Sequence, residues 1–506
     1  MTLKPPTPLW LLTVSSLCVL APPIAGQAKP AASPPPRSLR LEQAVSRALR
    51  RSPQLATLVS DLRIAKAGVV EARGVEDFVL GSAASWSATR GQEAPGLALD
   101  DASASVSLTR PLPTGGTLGL RFGTEYTRVA SLSGAGGATG TYRPAAVLSF
   151  THPLLRGCGT RVARAARRRA RSALDQAGLR REAAAADLVR AVVQTYWELA
   201  FAETRLRVRR SSLGLAREQL RAVRANIEVG KQPPSAAAEV EVAIALREDE
   251  AVQAELLVRE RSLELQQLLG VEADAGAAPL GTRDPLEPRF TARGSKAIAT
   301  APGVRAAIER ARQHNPELAA ARAAVAAAAI EVDVTRNGLL PQLDFTVGAG
   351  PLGSDASPRA AFDELARAGG YAVQAGLTLS FPIERNEARG QHAAAREGLR
   401  KARLLAQAIS VQVAAGVARA AHAVRLAEKR IRVLAHATDL AARDLAAEKA
   451  RFEVGRSSSF ELLRRQDELA RARLQQARAK ADSLEGEALL EALTGEILGR
   501  FAVELR

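Results

Sequence analysis

Apolar and small residues recur at alternating steps of four and three along two long segments of the chain. This is the spacing of a coiled-coil seam, and it predicts long helices that supercoil around one another. The first series consists of Leu188, Val192, Thr195, Leu199, Ala202, Leu206, Leu213, Ala216, Leu220, Val223 and Ile227. Two Glu-Val-Gly sequences end at Gly230 and Gly455, 225 residues apart. A shift of 225 residues carries the first series onto a second series from Val413 to Phe452. The chain is therefore predicted to contain an internal repeat.

Each predicted long helix ends at a glycine and is followed by a second helix. Gly230 precedes Pro233 and Pro234, and Gly455 precedes three serines. These are helix stop and restart signals, so they predict antiparallel helical hairpins over 155–269 and 386–493 with the glycine at each turn. The first long helix would measure roughly 110 Å at about 1.5 Å per residue, which is too long for a compact domain.

The opposite end of each hairpin has the alternation of β-strands. In the second copy Tyr371, Val373, Leu377 and Leu379 fall on one face, and small or polar residues fall on the other. Strands are expected at about 78–152 in the first copy and about 340–382 in the second. No second sheet is predicted to cover the apolar face, so lipid is its expected partner.

The two copies differ in length between matching prolines. Pro53 and Pro153 are 100 residues apart, whereas Pro316 and Pro382 are 66 apart, so the first copy carries 34 additional residues. These residues predict either one more β-hairpin or a long extension of the strands. The number of strands in the first copy stays open.

The predicted organisation has two repeats between shorter segments. Repeat 1 spans 40–270 and repeat 2 spans 301–495, and each opens with a helix; 271–300 is a linker and 496–506 a C-terminal tail. An apolar run followed by small residues predicts a signal peptide at 1–28, and a Pro-rich segment follows at 29–39. Cleavage would leave Cys158 alone, which excludes an intrachain disulfide. No run of eighteen apolar residues follows the signal peptide, so no transmembrane helix is predicted there.

The chain is strongly basic, with 70 Lys and Arg against 53 Asp and Glu and a formal net charge of +17. An Arg-rich segment at 161–181 contains no aromatic residue that could stack on a base, so nucleic-acid binding is not expected. Its first part, 161–171, follows the last strand of repeat 1. Its arginines are predicted either to face anionic headgroups or to line the mouth of a tunnel between the long helices, or to form a solvated helix face.

No pattern of catalytic residues is found. The five histidines show no metal-binding spacing, and the Gly-rich run at 133–140 lacks the Lys-Ser/Thr of a phosphate loop. The sequence predicts a protein that is not an enzyme and that needs no metal or cofactor.

At this point the chain resembles a known family, the TolC-type outer-membrane efflux proteins. The resemblance covers both copies and rests on the order and spacing of several short motifs. They are Asn315-Pro316-Glu-Leu, Gly338-Leu-Leu-Pro-Gln-Leu343, strands that end in Pro153-Leu-Leu and Pro382-Ile, and Phe452-Glu-Val-Gly455 followed by Phe460-Glu-Leu-Leu463.

The resemblance implies a mainly α fold with membrane β-structure. Each of two tandem repeats would contribute a β-hairpin to a trimeric outer-membrane barrel and long coiled-coil-like helices to a periplasmic α-tunnel. The expected function is the exit duct of a tripartite efflux or type I secretion system, with an inner-membrane pump and a periplasmic adaptor as partners. The surplus in repeat 1 departs from the usual two strands per repeat. The alternatives are a periplasmic adaptor, which would have a single hairpin, and a structural coiled-coil envelope protein, which would lack the strands.

The turns after Gly230 and Gly455 are the predicted periplasmic tip, where the tunnel narrows and the adaptor docks. In the resembling family the second tip carries two acidic residues, and the matching positions here are Glu461 and Arg464. Glu461 has two readings. It either completes a capping box with Ser458 or presents a carboxylate to the pore, and Arg464 lies close enough to pair with it.

Overall fold

The computed structural model describes residues 38–90, 97–131, 139–230, 233–272, 279–288 and 301–501. The predicted signal peptide and nearly all of the Pro-rich segment lie outside these residues, as do most of the linker and residues 502–506 of the C-terminal tail. The strands are β1 (Ser38–Leu39), β2 (Val79–Arg90), β3 (Leu97–Pro111), β4 (Thr117–Ser131), β5 (Thr139–Pro153), β6 (Gly281–Thr282), β7 (Gln342–Leu352) and β8 (Gly370–Ser380).

The helices account for most of the described chain. They are α1 (Leu41–Arg51), α2 (Pro53–Gly74), α3 (Thr160–Ala163), α4 (Ala165–Glu228), α5 (Ser235–Leu268), α6 (Ala301–His314), α7 (Pro316–Gly338), α8 (Pro358–Ala366), α9 (Asn386–Glu453), α10 (Ser459–Thr494) and α11 (Ile497–Arg500). Both halves run in the order of two short helices, strands, one long helix and a returning helix, which agrees with the predicted tandem repeat.

The first long helix begins later than predicted, at Ala165 rather than at residue 155. After β5 the backbone still pairs with the segment that leads into β7, because the Arg156 amide donates across to it at 3.1 Å. Gly157 and Gly159 then take φ values of 87° and 94°. This is the left-handed region, which glycine tolerates and a helix cannot contain.

The predicted seam forms the core of the helical part. Val192, Leu199 and Ala202 of this seam are fully buried on α4, whereas Thr195 is half-buried and its neighbour Tyr196 is fully buried instead. The Tyr196 hydroxyl lies 2.8 Å from the carboxylate of Asp284, just after β6, and burial raises the pKa of this tyrosine. The short parallel pair β1 and β6 thereby anchors both the start of the described chain and the linker against α4.

The six longer strands form one antiparallel sheet in the order β2-β3-β4-β5-β7-β8. Repeat 1 supplies four of them and repeat 2 supplies two. The surplus of repeat 1 is therefore one complete hairpin rather than an extension of existing strands. β3 and β4 pair in register from Pro111 with Thr117 to Leu97 with Ser131.

The region predicted as strands in repeat 2 also contains a helix, α8, which the alternation pattern did not predict. Pro358 occupies its first turn. Phe362 on this helix lies near Phe122 of β4, with ring centroids 6.3 Å apart. The connection between β7 and β8 is thus folded against the sheet.

The expectation that no later helix spans a membrane stays a prediction. By length and composition alone, α9 contains one window that is apolar enough. The helix has 68 residues, roughly 100 Å at about 1.5 Å each, and packs along α10, α7 and α6. Its many alanines give it high hydropathy, and its position is that of a bundle helix.

Candidate functional sites: the sheet faces and the helical tips

One face of the six-stranded sheet, here called the apolar face, is covered by large exposed hydrophobic side chains. The cross-strand register shows that this face extends over all six strands. One row of paired residues crosses it, from Leu80 through Leu108, Leu120, Leu148 and Ala349 to Val373. Leu80 is 73% exposed and Val373 is 67% exposed. Exposed apolar patches of this extent mark contact with lipid or with another protein.

Aromatic residues border the apolar face at both ends. Trp86, Tyr126, Tyr142 and Tyr371 lie towards the loop end, and the rings of Tyr126 and Tyr142 are 4.5 Å apart. Towards the helical end lie Phe78, Phe150, Phe345 and Phe381, and Arg110 and Arg385 stack on Phe78 and Phe381. An apolar band between two aromatic girdles is typical of barrels in the outer membrane. The sequence analysis missed these girdles because strand register is needed to align residues from six strands.

The opposite face, here called the polar face, carries small and hydrophilic side chains. The hydroxyls of Ser85 and Ser103 are 2.8 Å apart, and Arg121 donates to the Ser105 hydroxyl at 3.2 Å. Gly348 and Gln374 continue this face onto β7 and β8. Such a face suits water better than lipid.

Arginines at the junction between sheet and helices are held by acidic neighbours. Arg161 lies 2.8 Å from Asp333, and Arg169 lies 2.5 Å from Glu331, both on α7. Arg164 pairs with Glu76 at 2.7 Å, and this bond holds the pKa of Glu76 below its usual value. Neither interpretation of 161–171 from the sequence predicted these ion pairs, because the acidic partners are distant in sequence. These arginines join α3 and the start of α4 to α7 and to the segment between α2 and β2.

The first predicted tip has the expected turn geometry. Gly230 has a φ of 72° and follows the end of α4, and α5 restarts just after Pro233 and Pro234. Residues 231 and 232 lie outside the described part of the chain.

At the second tip Gly455 has a φ of 74°, and Ser458 caps α10 by accepting from the Glu461 amide at 3.2 Å. Glu448 of α9 is buried; it accepts a hydrogen bond from the Ser457 hydroxyl and pairs with Arg451 at 3.2 Å. Glu448 occupies the seam position of the second repeat that Val223 occupies in the first. A charged residue at this position was the signal in the sequence for a contact at the tip.

Glu461 and Arg464 are brought together. Their charged atoms are 3.9 Å apart, and Arg464 also lies 3.3 Å from Glu468 one turn on. The cap from Ser458 is the first half of the predicted capping box. Among the described contacts the Glu461 carboxylate pairs with Arg464, not with the Ser458 amide.

A buried polar layer joins the two hairpins just above the tips. Arg247 of α5 is only 4% exposed. It donates to the Ser212 carbonyl of α4 and to Gln466 of α10, and it pairs with Asp467 at 2.8 Å. Gln219 adds a bond to the Ser459 carbonyl at 3.0 Å. The seven-residue spacing of Val240, Arg247 and Ala254 places an arginine at a seam position, and that signal could have revealed the layer.

Within the described part of the chain, no group of three or more His, Cys, Asp or Glu side chains is arranged to hold a metal ion. The distinctive geometry is a sheet with an apolar face and a polar face, joined to two long helical hairpins.

Comparison with known proteins agrees with this geometry. The sequence model of the outer membrane efflux protein family matches residues 307–496. This part of the chain carries an outer membrane efflux protein domain. A search of curated protein sequences gave no match.

Solved structures with this architecture include outer-membrane proteins from three organisms. VceC from Vibrio cholerae is 17% identical over 90% of this chain and 96% of its own, with a TM-score of 0.62. The CmeC outer membrane channel of Campylobacter jejuni is 14% identical, over 90% and 85%, at 0.61. The open state of the Neisseria gonorrhoeae MtrE outer membrane channel is 17% identical, over 90% and 89%, at 0.61. The predicted fold class is confirmed: the chain has the fold of TolC-type channels.

Proposed function

We propose that this protein is an outer-membrane channel, the exit duct of a tripartite efflux or type I secretion system. The observation that carries the proposal is the exposed apolar face between two aromatic girdles, on a sheet that continues directly into helices about 100 Å long. Lipid would cover the apolar face, and the helices would reach into the periplasm. The efflux domain of residues 307–496 and the fold of the structural neighbours support this assignment.

The active form is proposed to be a homotrimer that works with a periplasmic adaptor and an inner-membrane pump. A six-stranded sheet cannot close by itself, since single-chain outer-membrane barrels begin at eight strands. Several copies are needed to remove the free edges. Family resemblance favours three.

The two alternatives fit less well. A periplasmic adaptor would have one long hairpin, whereas this chain has α4 with α5 and α9 with α10. A structural coiled-coil protein would not expose an apolar sheet face. The efflux protein domain of residues 307–496 also supports transport rather than catalysis.

The tips after Gly230 and Gly455 are proposed as the periplasmic end, where the duct narrows and the adaptor docks. Arg464 is exposed there and Glu461 is half-buried, and their pairing would place both signs of charge in each protomer's share of the constriction. This arrangement would weaken any preference for cations.

Heat-modifiable migration of an outer-membrane fraction tests the channel assignment. A folded trimer that dissociates only on boiling is expected, together with conductance in planar bilayers. A monomer in the periplasmic fraction would contradict the proposal.

At the tip, Glu461→Gln and Arg464→Ala are expected to shift ion selectivity in single-channel recordings. If both leave selectivity and closed-state conductance unchanged, these residues do not line the constriction.

A further inference from the structure

The sheet has two free edges, β2 and β8, and they match one another. β2 has 12 residues and β8 has 11, about the length a strand needs to cross a bilayer. All five strand pairings are antiparallel, so β2 and β8, at opposite ends of six strands, run in opposite directions. The β8 edge of one copy can therefore pair antiparallel with the β2 edge of the next without reversing either chain.

The additional hairpin of repeat 1 is a full part of this sheet. Its strands keep the register of their neighbours and continue both faces, with Leu108 and Leu120 on the apolar face and Ser107 and Arg121 on the polar face. Because each face keeps its character across all six strands, the whole sheet can stand between lipid and water.

The turn that joins β3 to β4 is fixed to the junction with the helices. The Gly159 amide donates to the Thr114 carbonyl at 2.9 Å, and the His152 ring lies 3.2 Å from the Thr114 hydroxyl. Gly115 packs so closely on the Gly157 carbonyl that a Cβ would lie 2.3 Å from its oxygen. The β3–β4 hairpin is thus anchored at the helical end of the sheet, where β2 begins and β5 ends.

We infer that edge pairing between β8 of one copy and β2 of the next closes an eighteen-stranded barrel. The inference rests on the proposed trimer, since three copies of a six-stranded sheet supply eighteen strands. Two strands per repeat, the usual number in the resembling family, would give twelve. Within a bilayer, each unpaired backbone group along an open edge costs several kcal/mol, so both edges must find partners.

The consequence is a wider exit. With strands about 4.8 Å apart and tilted by about 40°, the backbone diameter is about 36 Å for eighteen strands and about 24 Å for twelve. The cross-section of the barrel is then roughly twice as large. The polar face, which combines serines and glycines with Arg121 and Gln374, would line this space.

Cysteine cross-linking in the trimer tests the edge pairing. In a Cys158→Ala background, Ser85→Cys on the polar face of β2 is combined in turn with Gln374→Cys, Thr378→Cys or Ser380→Cys on the same face of β8. At least one pair is expected to give covalent dimers and trimers on a denaturing gel. Ser85→Cys with Val373→Cys, which points to the apolar face, is the matched control and is expected to stay unlinked.

A second cysteine position distinguishes eighteen strands from twelve. If β2 and β3 lay outside the wall, four strands per copy would remain and β4 would be the edge, so Glu125→Cys would link to the β8 positions in place of Ser85→Cys. That result overturns the inference, as does a ladder that ends at the dimer. Ser85→Cys with Ser103→Cys, whose hydroxyls are 2.8 Å apart, confirms reactivity within one copy.

Failure of the channel assignment is recognised separately. Heat-modifiable migration of the cysteine-free protein is measured first, before any oxidation. If the trimer is present in the outer membrane and no β2 to β8 pair links while the Ser85 and Ser103 control does, the eighteen-stranded wall is wrong and the channel assignment stands.

Discussion

The two helical hairpins have similar seams but are held together differently. In the first, ion pairs cross from α4 to α5 at steps of seven residues, with N to O distances between 2.6 and 3.2 Å: Arg210 with Glu255, Arg217 with Glu248 and Arg224 with Glu241. In the second, the described pairs between α9 and α10 are Arg430 with Asp482 at 3.2 Å and Arg465 with Asp444 at 3.1 Å.

The difference is greatest near the tips. Arg224 ties the first hairpin together four residues before α4 ends at Glu228. In the second hairpin Arg464 pairs only within α10 among its described contacts, and Glu448 holds the turn through Ser457. The comparison teaches that similar seams can be flanked by ion pairs along the length of one hairpin and at two places in the other. We expect the second tip to open more readily than the first.

The largest effect is expected at the layer that joins the hairpins. Arg247→Ala should destabilise the contact between α5 and α10 by about 2 kcal/mol, because it leaves buried partners such as Gln466 unsatisfied. Hydrogen exchange of 459–470 is the measurement. Arg217→Ala, which removes an exposed pair in the first hairpin, is the matched control and should change little. Equal protection in both variants would show that the layer does not hold the second hairpin.

The sequence predicted the hairpins and the strand alternation because both are local periodic patterns. A seam such as that of Leu188 to Ile227 can be recognised from one helix alone, and the same holds for the alternation in β8. Arg247, the Arg161 and Asp333 pair, and the late start of α4 depend on partners far away in sequence. The fold was therefore largely predictable, whereas the contacts that control the tips were not.

The second hairpin also contains a pH-sensitive region away from the tip. Burial and the neighbouring carboxylate of Glu198 raise the pKa of Glu485 to about 7, although Arg478 lies 3.9 Å away. Burial likewise raises the pKa of Glu487 to about 7. Both carboxyls are easier to protonate in the folded state. Their contribution to stability is complete below the ordinary pKa near 4.5 and is lost as the pH rises through about 7.

Thermal unfolding between pH 5 and pH 8 measures this effect. The wild-type protein should lose stability across this range. Glu485→Gln should reduce the slope, and Glu485→Gln combined with Glu487→Gln should reduce it further. A slope that both variants leave unchanged would place the pH sensitivity elsewhere.

Variants at the helix cap of the second tip distinguish the two interpretations of Glu461, a capping residue or a carboxylate that faces the pore. Ser458→Ala should destabilise the start of α10 by about 1 kcal/mol, because the Glu461 amide loses its acceptor. Hydrogen exchange of 459–463 reports the loss. Glu461→Gln keeps this amide and its bond, so it should leave the exchange rates nearly unchanged while shifting ion selectivity. If Glu461→Gln frays the helix as much as Ser458→Ala does, the carboxylate acts mainly in capping.

The smallest effect is expected from the ion-pair ladder itself. Its side chains are roughly half exposed, and exposed pairs contribute only about 0.2–1 kcal/mol each. Arg217→Glu should therefore cost little stability, but it places like charges opposite each other beside Glu248. A second change, Glu248→Arg, restores the attraction with its sign reversed. In a double-mutant cycle of thermal stability, the pair should recover most of what the single changes lose. If the double variant is no better than the singles, the ladder does not set the register of α5 on α4, and the contrast between the hairpins must come from their buried seams.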